Sequence, residues 1–199
     1  MSILVLTSDT LIGTPAAGNL EYNGQFFGTD SNASRAQMQR YAQGTAVAST
    51  SGTSINFTNL PSWCERITIL FQAVSTTGTS NVGIQLGTGG TPTYVVTGYL
   101  SNGNTIAGAA VSSASYTTLF GLGSANQVAA SSMQGQMVLT NITGNNWVFS
   151  GTTSQTNTNA SHFGNGSLSL GAALTAVRIT TVAGTDTFDA GTINIMYEG

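Results

Sequence analysis

The chain has 199 residues, of which 4 are Lys or Arg, 7 are Asp or Glu and 1 is His, for a formal net charge of -3. Charged residues make up 6% of it, against about 25% in a typical domain. Four arginines (Arg35, Arg40, Arg66, Arg178) without a lysine cannot build the basic face that nucleic acid or an anionic membrane surface requires, and 40% hydrophobic residues in patterned runs exclude charge-driven disorder.

The longest apolar runs, Ile3 to Leu6 and Ile69 to Phe71, are strand-sized, far short of the roughly 20 residues of a membrane-spanning helix. The N-terminus lacks the basic and apolar regions of a secretory signal. Apolar runs around Ile3, Leu20 and Phe26, with an Asn-Gly pair in "YNGQ" (Tyr22 to Gln25), predict a small β arm over residues 1–43, too poor in apolar residues to form its own core. Good helix formers from Ser34 to Gly44 predict one short helix or a coil crossing.

From residue 44 to 199 the texture is short runs of Val, Ile, Thr, Phe and Tyr between Gly, Ser, Asn and Thr clusters. It predicts strands near Ala46 to Ser49, Ser54 to Phe57, Glu65 to Val74, Asn81 to Leu86, Tyr94 to Leu100, Thr117 to Phe120, Gln134 to Leu139, Trp147 to Gly151, Leu168 to Leu170, Ala176 to Val182 and Thr192 to Tyr197. Alternation of Ile193, Ile195 and Tyr197 with Thr192, Asn194 and Met196 marks a half-buried strand. The fold class is all-β, an antiparallel β-sandwich, with a jelly roll as the most economical architecture and a Greek-key sandwich as its alternative. An echo between the stretches beginning Arg66-Ile-Thr and Arg178-Ile-Thr is read as compositional.

Catalytic chemistry finds little to work with. Any triad would have to use His162, which sits in a glycine-flanked polar stretch without a nucleophile motif. Zinc needs three or four Cys or His ligands, and Cys64 and His162 are all the chain owns. Cys64, beside Trp63, reads as a small buried apolar residue. Asp186 and Asp189 are the one carboxylate pair spaced to share a calcium ion, but without the alternating Asp and Asn of dedicated calcium loops. "GTGGTP" (87–92) and "GLGS" (121–124) read as turns, because a phosphate loop needs a lysine. No enzyme activity and no cofactor are expected. What remains is neutral hydrogen-bonding chemistry with aromatics (Tyr94, Tyr99, Tyr116, Trp147, Phe163), which suits sugars or close packing between identical chains.

The segment "LTSDTLIGTPAAGNLEYNGQFFGTDSNASR", with its Pro-Ala-Gly turn, "LEYNG" hairpin, aromatic pair and trailing arginine, resembles a linking module of bacteriophage tail-fibre and related virion proteins. "INFTNLPSWCERITILF", "STTGTSNVGIQLG", "GYLSNG" and the terminal "RITTVAGTDTFDAGTINIMYEG" resemble a β-sandwich domain of phage virion proteins. The resemblance implies a virion structural protein, most often a homotrimer, assembled in the host cytoplasm. Residues 1–43 would attach it to other virion proteins, with Leu20, Tyr22, Phe26, Phe27 and Arg35 as contacts. The sandwich would present loops near Ser75 to Asn81, Gly87 to Thr93, Ser101 to Ile106 and Thr152 to Asn165 to a host-surface glycan, with Tyr99, Asn102, Trp147 and His162 as contacts. The competing expectation is an architectural head-fibre, capsid-decoration or tail-tip protein that touches no receptor.

Overall fold

The computed structural model describes residues 10–23, 25–125, 127–129 and 131–199. The run Ile3 to Leu6 lies outside them. The chain forms two compact units, Met1–Arg40 and Tyr41–Gly199. No helix occurs among the described residues, and every strand pair is antiparallel.

The first unit is a three-stranded sheet in the order β1 (Leu20–Tyr22), β2 (Phe26–Thr29), β3 (Arg35–Gln37). Tyr22 pairs with Phe26 across the hairpin, and their rings lie 5.0 Å apart. The segment expected to be helical from Ser34 holds β3 instead. Asp30 Oδ1 accepts the N–H of Asn32 and of Ser34, each at 2.9 Å, and Ala33 turns through a positive φ, so the chain folds back before a helix can start.

The second unit begins with β4 (Tyr41–Gln43) and β5 (Val47–Ala48), which pair with the last strand. It continues with β6 (Ser54–Thr58), β7 (Arg66–Thr76), β8 (Val82–Thr88), β9 (Thr93–Tyr94), β10 (Leu100–Ala107), β11 (Ala110–Tyr116), β12 (Phe120–Gly121), β13 (Met133–Thr143), β14 (Asn146–Gln155), β15 (Ala160–Ser169), β16 (Leu174–Thr181) and β17 (Phe188–Glu198). A large sheet runs β11-β10-β15-β14-β13-β7-β17-β4, with β5 also on β17. A small one runs β12-β8-β16-β6, with β9 on β8. The echo starts in different sheets: Arg66 opens β7 of the large sheet, whereas Arg178 lies within β16 of the small one.

Period-2 alternation turns one face of each sheet inward. Ile67, Ile69 and Phe71 of β7, Met137 and Leu139 of β13, Trp147 and Phe149 of β14, and Ile193 and Ile195 of β17 meet Ile55 and Phe57 of β6, Val82, Ile84 and Leu86 of β8, and Val177 and Ile179 of β16 in one buried cluster. The two sheets are thus a β-sandwich, and an asymmetric one, because the small sheet is far narrower than the large. The chain from β12 onward covers what the small sheet cannot. Phe120 stacks on Phe149 with ring centroids 5.0 Å apart, and Tyr99 meets Phe120 edge-on at 4.8 Å.

Beyond that aromatic layer the inner face of the large sheet turns to glycine. Gly103, Gly164 and Gly151 are direct cross-strand partners on β10, β15 and β14. A Cβ at Gly164 would stand 2.5 Å from the Gly121 carbonyl oxygen and 2.7 Å from the Phe149 ring. Residues 121–125 therefore lie as a strap with their backbone directly on the backbone of the sheet. The "GLGS" stretch, expected to be a turn, is part of this strap.

Gly164→Ala is expected to destabilise the fold by about 1–3 kcal/mol in urea melts. Gly171→Ala, where nothing lies within 4 Å of the added atom, should change stability by less than about 0.5 kcal/mol.

Candidate functional site

The strands that hold the strap on their inner faces carry a different chemistry outside. None of β10, β11, β13, β14 and β15 contains an Asp, Glu, Lys or Arg. Two outward rungs cross them. One aligns Asn102, Asn165, Ser150 and Val138, and the next aligns Asn104, Phe163, Thr152 and Gln136. Asn102, Gln136, Ser150, Thr152 and Asn165 are exposed, and Phe163 stands half-buried among them. Directly opposed side chains on a sheet are about 5 Å apart, so these groups form one continuous patch of amides and hydroxyls around an aromatic ring.

The patch is concave in two places. Gln136, Val138, Ser150, Thr152, Phe163 and Asn165 surround a depression of about 190 Å³. Leu100, Asn102, Ser115, Thr117 and the same Asn165 line a neighbouring groove of about 420 Å³. Leu100 is 74% exposed at its rim, an apolar surface beside the amides.

The sequence expectations fare unevenly here. Asn102 lies on the exposed rung. Tyr99, Trp147 and His162 are corrections: they are 1%, 3% and 2% exposed, too enclosed to serve as main receptor contacts, although Tyr99 lies at the floor of the Leu100 groove. The Tyr99 hydroxyl accepts the Leu86 N–H at 2.8 Å and donates to the Val95 carbonyl at 3.2 Å, and burial pushes its pKa up to about 12. Trp147 packs in the core cluster. Two of the expected contact loops, Ser101 to Ile106 and Thr152 to Asn165, are largely strand; they expose the outer face of those strands and, in the second, the turn at residues 156–159. Phe163, noted in the sequence only as one aromatic among several, is the ring that stands outward.

Asp186 and Asp189 turn to separate tasks. Asp186 Oδ2 accepts the Ser80 N–H at 2.8 Å, and Asp189 Oδ1 accepts from the Ser75 hydroxyl, so the pair ties neighbouring loops and β7 rather than facing a shared ion. No group of three His, Cys, Asp or Glu that could hold a metal occurs among the described residues. The Cys64 thiol donates to the Arg66 carbonyl at 3.7 Å, and burial pushes its pKa up to about 11.

The N-terminal sheet has two unlike faces. On one, Glu21 and Arg35 form an ion pair at 2.8 Å, with Glu21 also accepting the Ile12 N–H at 2.7 Å and Arg35 donating to the Ile12 carbonyl. The register puts Leu20, Tyr22, Phe26 and Ala36 on the other. Leu20 is 63% and Phe26 42% exposed, so this face is apolar and open. Phe27 shares the Glu21 face and is half-buried.

Compared with protein-family models, with curated proteins and with solved structures, the chain matches none.

Cys64 is expected to behave as an inert thiol. At pH 8 a thiol reagent should label the native chain at least about tenfold more slowly than the urea-unfolded chain; equal rates would show that the thiol is accessible in the native state.

Proposed function

We propose that the chain is a non-enzymatic virion structural protein of tail-fibre type, which attaches to a neutral glycan of the host surface through the outer face of β10, β14 and β15. One observation carries the reading: Phe163 stands outward in a concave, uncharged field of Asn102, Asn104, Gln136, Ser150, Thr152 and Asn165. Aromatic rings stack on the apolar faces of sugars, and amides and hydroxyls exchange hydrogen bonds with sugar hydroxyls without the desolvation cost of buried charge. The strap and core beneath fix these side chains on strands, which hold a binding constellation more precisely than loops do.

The apolar face of the N-terminal sheet supports the second half of the proposal. Leu20, Tyr22 and Phe26 have no core of their own to enter, and an exposed apolar patch of that kind is an interaction surface. It would join other virion proteins or sister copies in a homo-oligomer, for which the resemblance implies a trimer, with assembly in the host cytoplasm. The same open face also favours the purely architectural reading, in which the chain stabilises the particle and meets no receptor.

Binding of the labelled full chain to purified neutral envelope polysaccharides and to cells separates the two readings. Phe163→Ala and Asn165→Ala should each weaken saturable binding by about tenfold or more while leaving the melting curve unchanged. A folded protein that binds no neutral polysaccharide or cell would favour the architectural reading.

Phe26→Glu should leave polysaccharide binding unchanged and prevent incorporation of the chain into particles in a complementation assay. Normal incorporation would remove the N-terminal face from the account.

A further inference from the structure

The strap that closes the inner face of β10 and β15 is held near its start by Gly121 N–H to the Ser101 hydroxyl at 3.1 Å and Leu122 N–H to the Val82 carbonyl at 3.0 Å, and at its far end by the hydroxyl of Thr105. Thr105 Oγ1 receives the N–H of Ser124 at 2.9 Å and of Ala125 at 3.2 Å, and it lies 2.9 Å from His162 Nδ1. A hydroxyl has two lone pairs and one hydrogen. The two amides fill both lone pairs, so only the hydrogen is left to give, either to the ring nitrogen or to the Ala125 carbonyl at 3.2 Å. A hydrogen on Nδ1 would be a third donor aimed at a full acceptor. By this count the neutral tautomer with Nδ1 bare and its proton on Nε2 is the one that fits Thr105. Among the described residues Nε2 is buried without a hydrogen-bond partner, as is Thr153 Oγ1 on the facing rung position. Gly123 lies over the ring with φ +75, and a Cβ there would collide with Nδ1.

We propose that His162 is an acid-released latch for the strap of residues 121–125. Protonation places a hydrogen on Nδ1, pointed at an oxygen that already accepts two, so one strap amide must let go. Among the described residues no carboxylate pairs with the new charge. Around the ring are Thr105 from β10 and Gly123 from the strap, with Thr153 of β14 at the paired register position and Ser124 and Ala125 bonded to the same Thr105 hydroxyl. Tyr116 of β11, whose hydroxyl donates to the Gly123 carbonyl at 2.7 Å, is the other titratable group of this network, and burial raises its pKa, so it stays neutral. The adjoining Gln127–Gln155 pair is neutral as well.

The direction of the pH response follows from the burial. The ring's pKa is held below its ordinary 6.5 by desolvation alone, so the released or unfolded state takes the proton first. The latch contributes fully above about pH 6.5 and is lost as pH falls through the lowered pKa. Thr105, His162 and Thr153 are chain neighbours of Asn104, Phe163 and Thr152. Release would thus loosen the rungs that carry the outer patch, a consequence that rests on the proposed glycan site, whereas the latch itself does not.

Nitrogen NMR of His162 in the intact chain, with amide exchange followed from pH 8 to 4.5, tests the latch without any ligand. The expected result is the Nε2–H tautomer at pH 8. As the ring titrates, the protection factors of Ser124 and Ala125, corrected for the intrinsic rate at each pH, should fall tenfold or more, while the amides of Ile69 and Met137 stay protected. His162→Gln should keep the strap closed at pH 5, and Thr105→Val should open it at every pH. An Nδ1–H tautomer at pH 8, or strap exchange that stays flat while His162 titrates, would overturn the proposal. Should a variant fail to fold, the wild-type series alone decides. Glycan binding that fails while the latch titrates as described would count against the outer-face site only.

Discussion

Backbone resting on backbone at Gly103 and Gly164, on a rung that Gly151 continues beneath the Leu122 side chain, is the contact on which the wide end of this molecule depends. A narrow sheet cannot cover a wide one with side chains, and large-sheet strands left bare would expose apolar rungs to water. Removing three side chains in a row lets residues 121–125 sink to the level of the sheet. The inner face can then change along β15 from Leu168, through glycine, to His162 and Ala160. Glycine costs conformational entropy in a strand, and the close approach of another backbone is what offsets it.

The outer face follows from the same economy of side chains. With the strap secured inside, the outward positions of β10, β14 and β15 need supply nothing to stability, and they hold small neutral groups around Phe163. Charge is confined elsewhere: Arg66 pairs with Glu198 at 3.3 Å, Arg178 stacks 3.7 Å over the Tyr94 ring, and Arg35 holds Glu21 in the N-terminal unit. A large uncharged face can approach an uncharged polymer, or another copy of itself, without stripping water from ions.

The all-β class and the core were readable in the sequence because long strands with one buried face alternate. Ile193, Ile195 and Tyr197 against Thr192, Asn194 and Met196 turned out as their period demands. β10 and β11 were not readable. "LSNGNTIA" and "AVSSASY" carry Asn, Ser, Gly and Ala, the residues of loops, because a strand beneath a backbone strap needs no bulky inner side chain and its outer side is polar. The same property hid the candidate site. Tyr99 and Trp147 drew attention by type, yet large aromatics are what a core takes first, and only the register brings Phe163, Asn165 and Asn102 onto adjoining outward rungs. His162 looked exposed because its neighbours are polar, although these neighbours point to the opposite face or fold over it.

The central claim is that one set of strands holds the strap inside and a neutral glycan outside. Hydrogen exchange of the full chain with and without a saturating neutral envelope polysaccharide tests it most directly. The account predicts added protection centred on residues 102–104, 150–152 and 163–165, with the N-terminal sheet unchanged. Protection confined to residues 20–38 or to the loops around 77–81 and 89–92 would contradict it, as would a bound chain with no change on β10, β14 and β15.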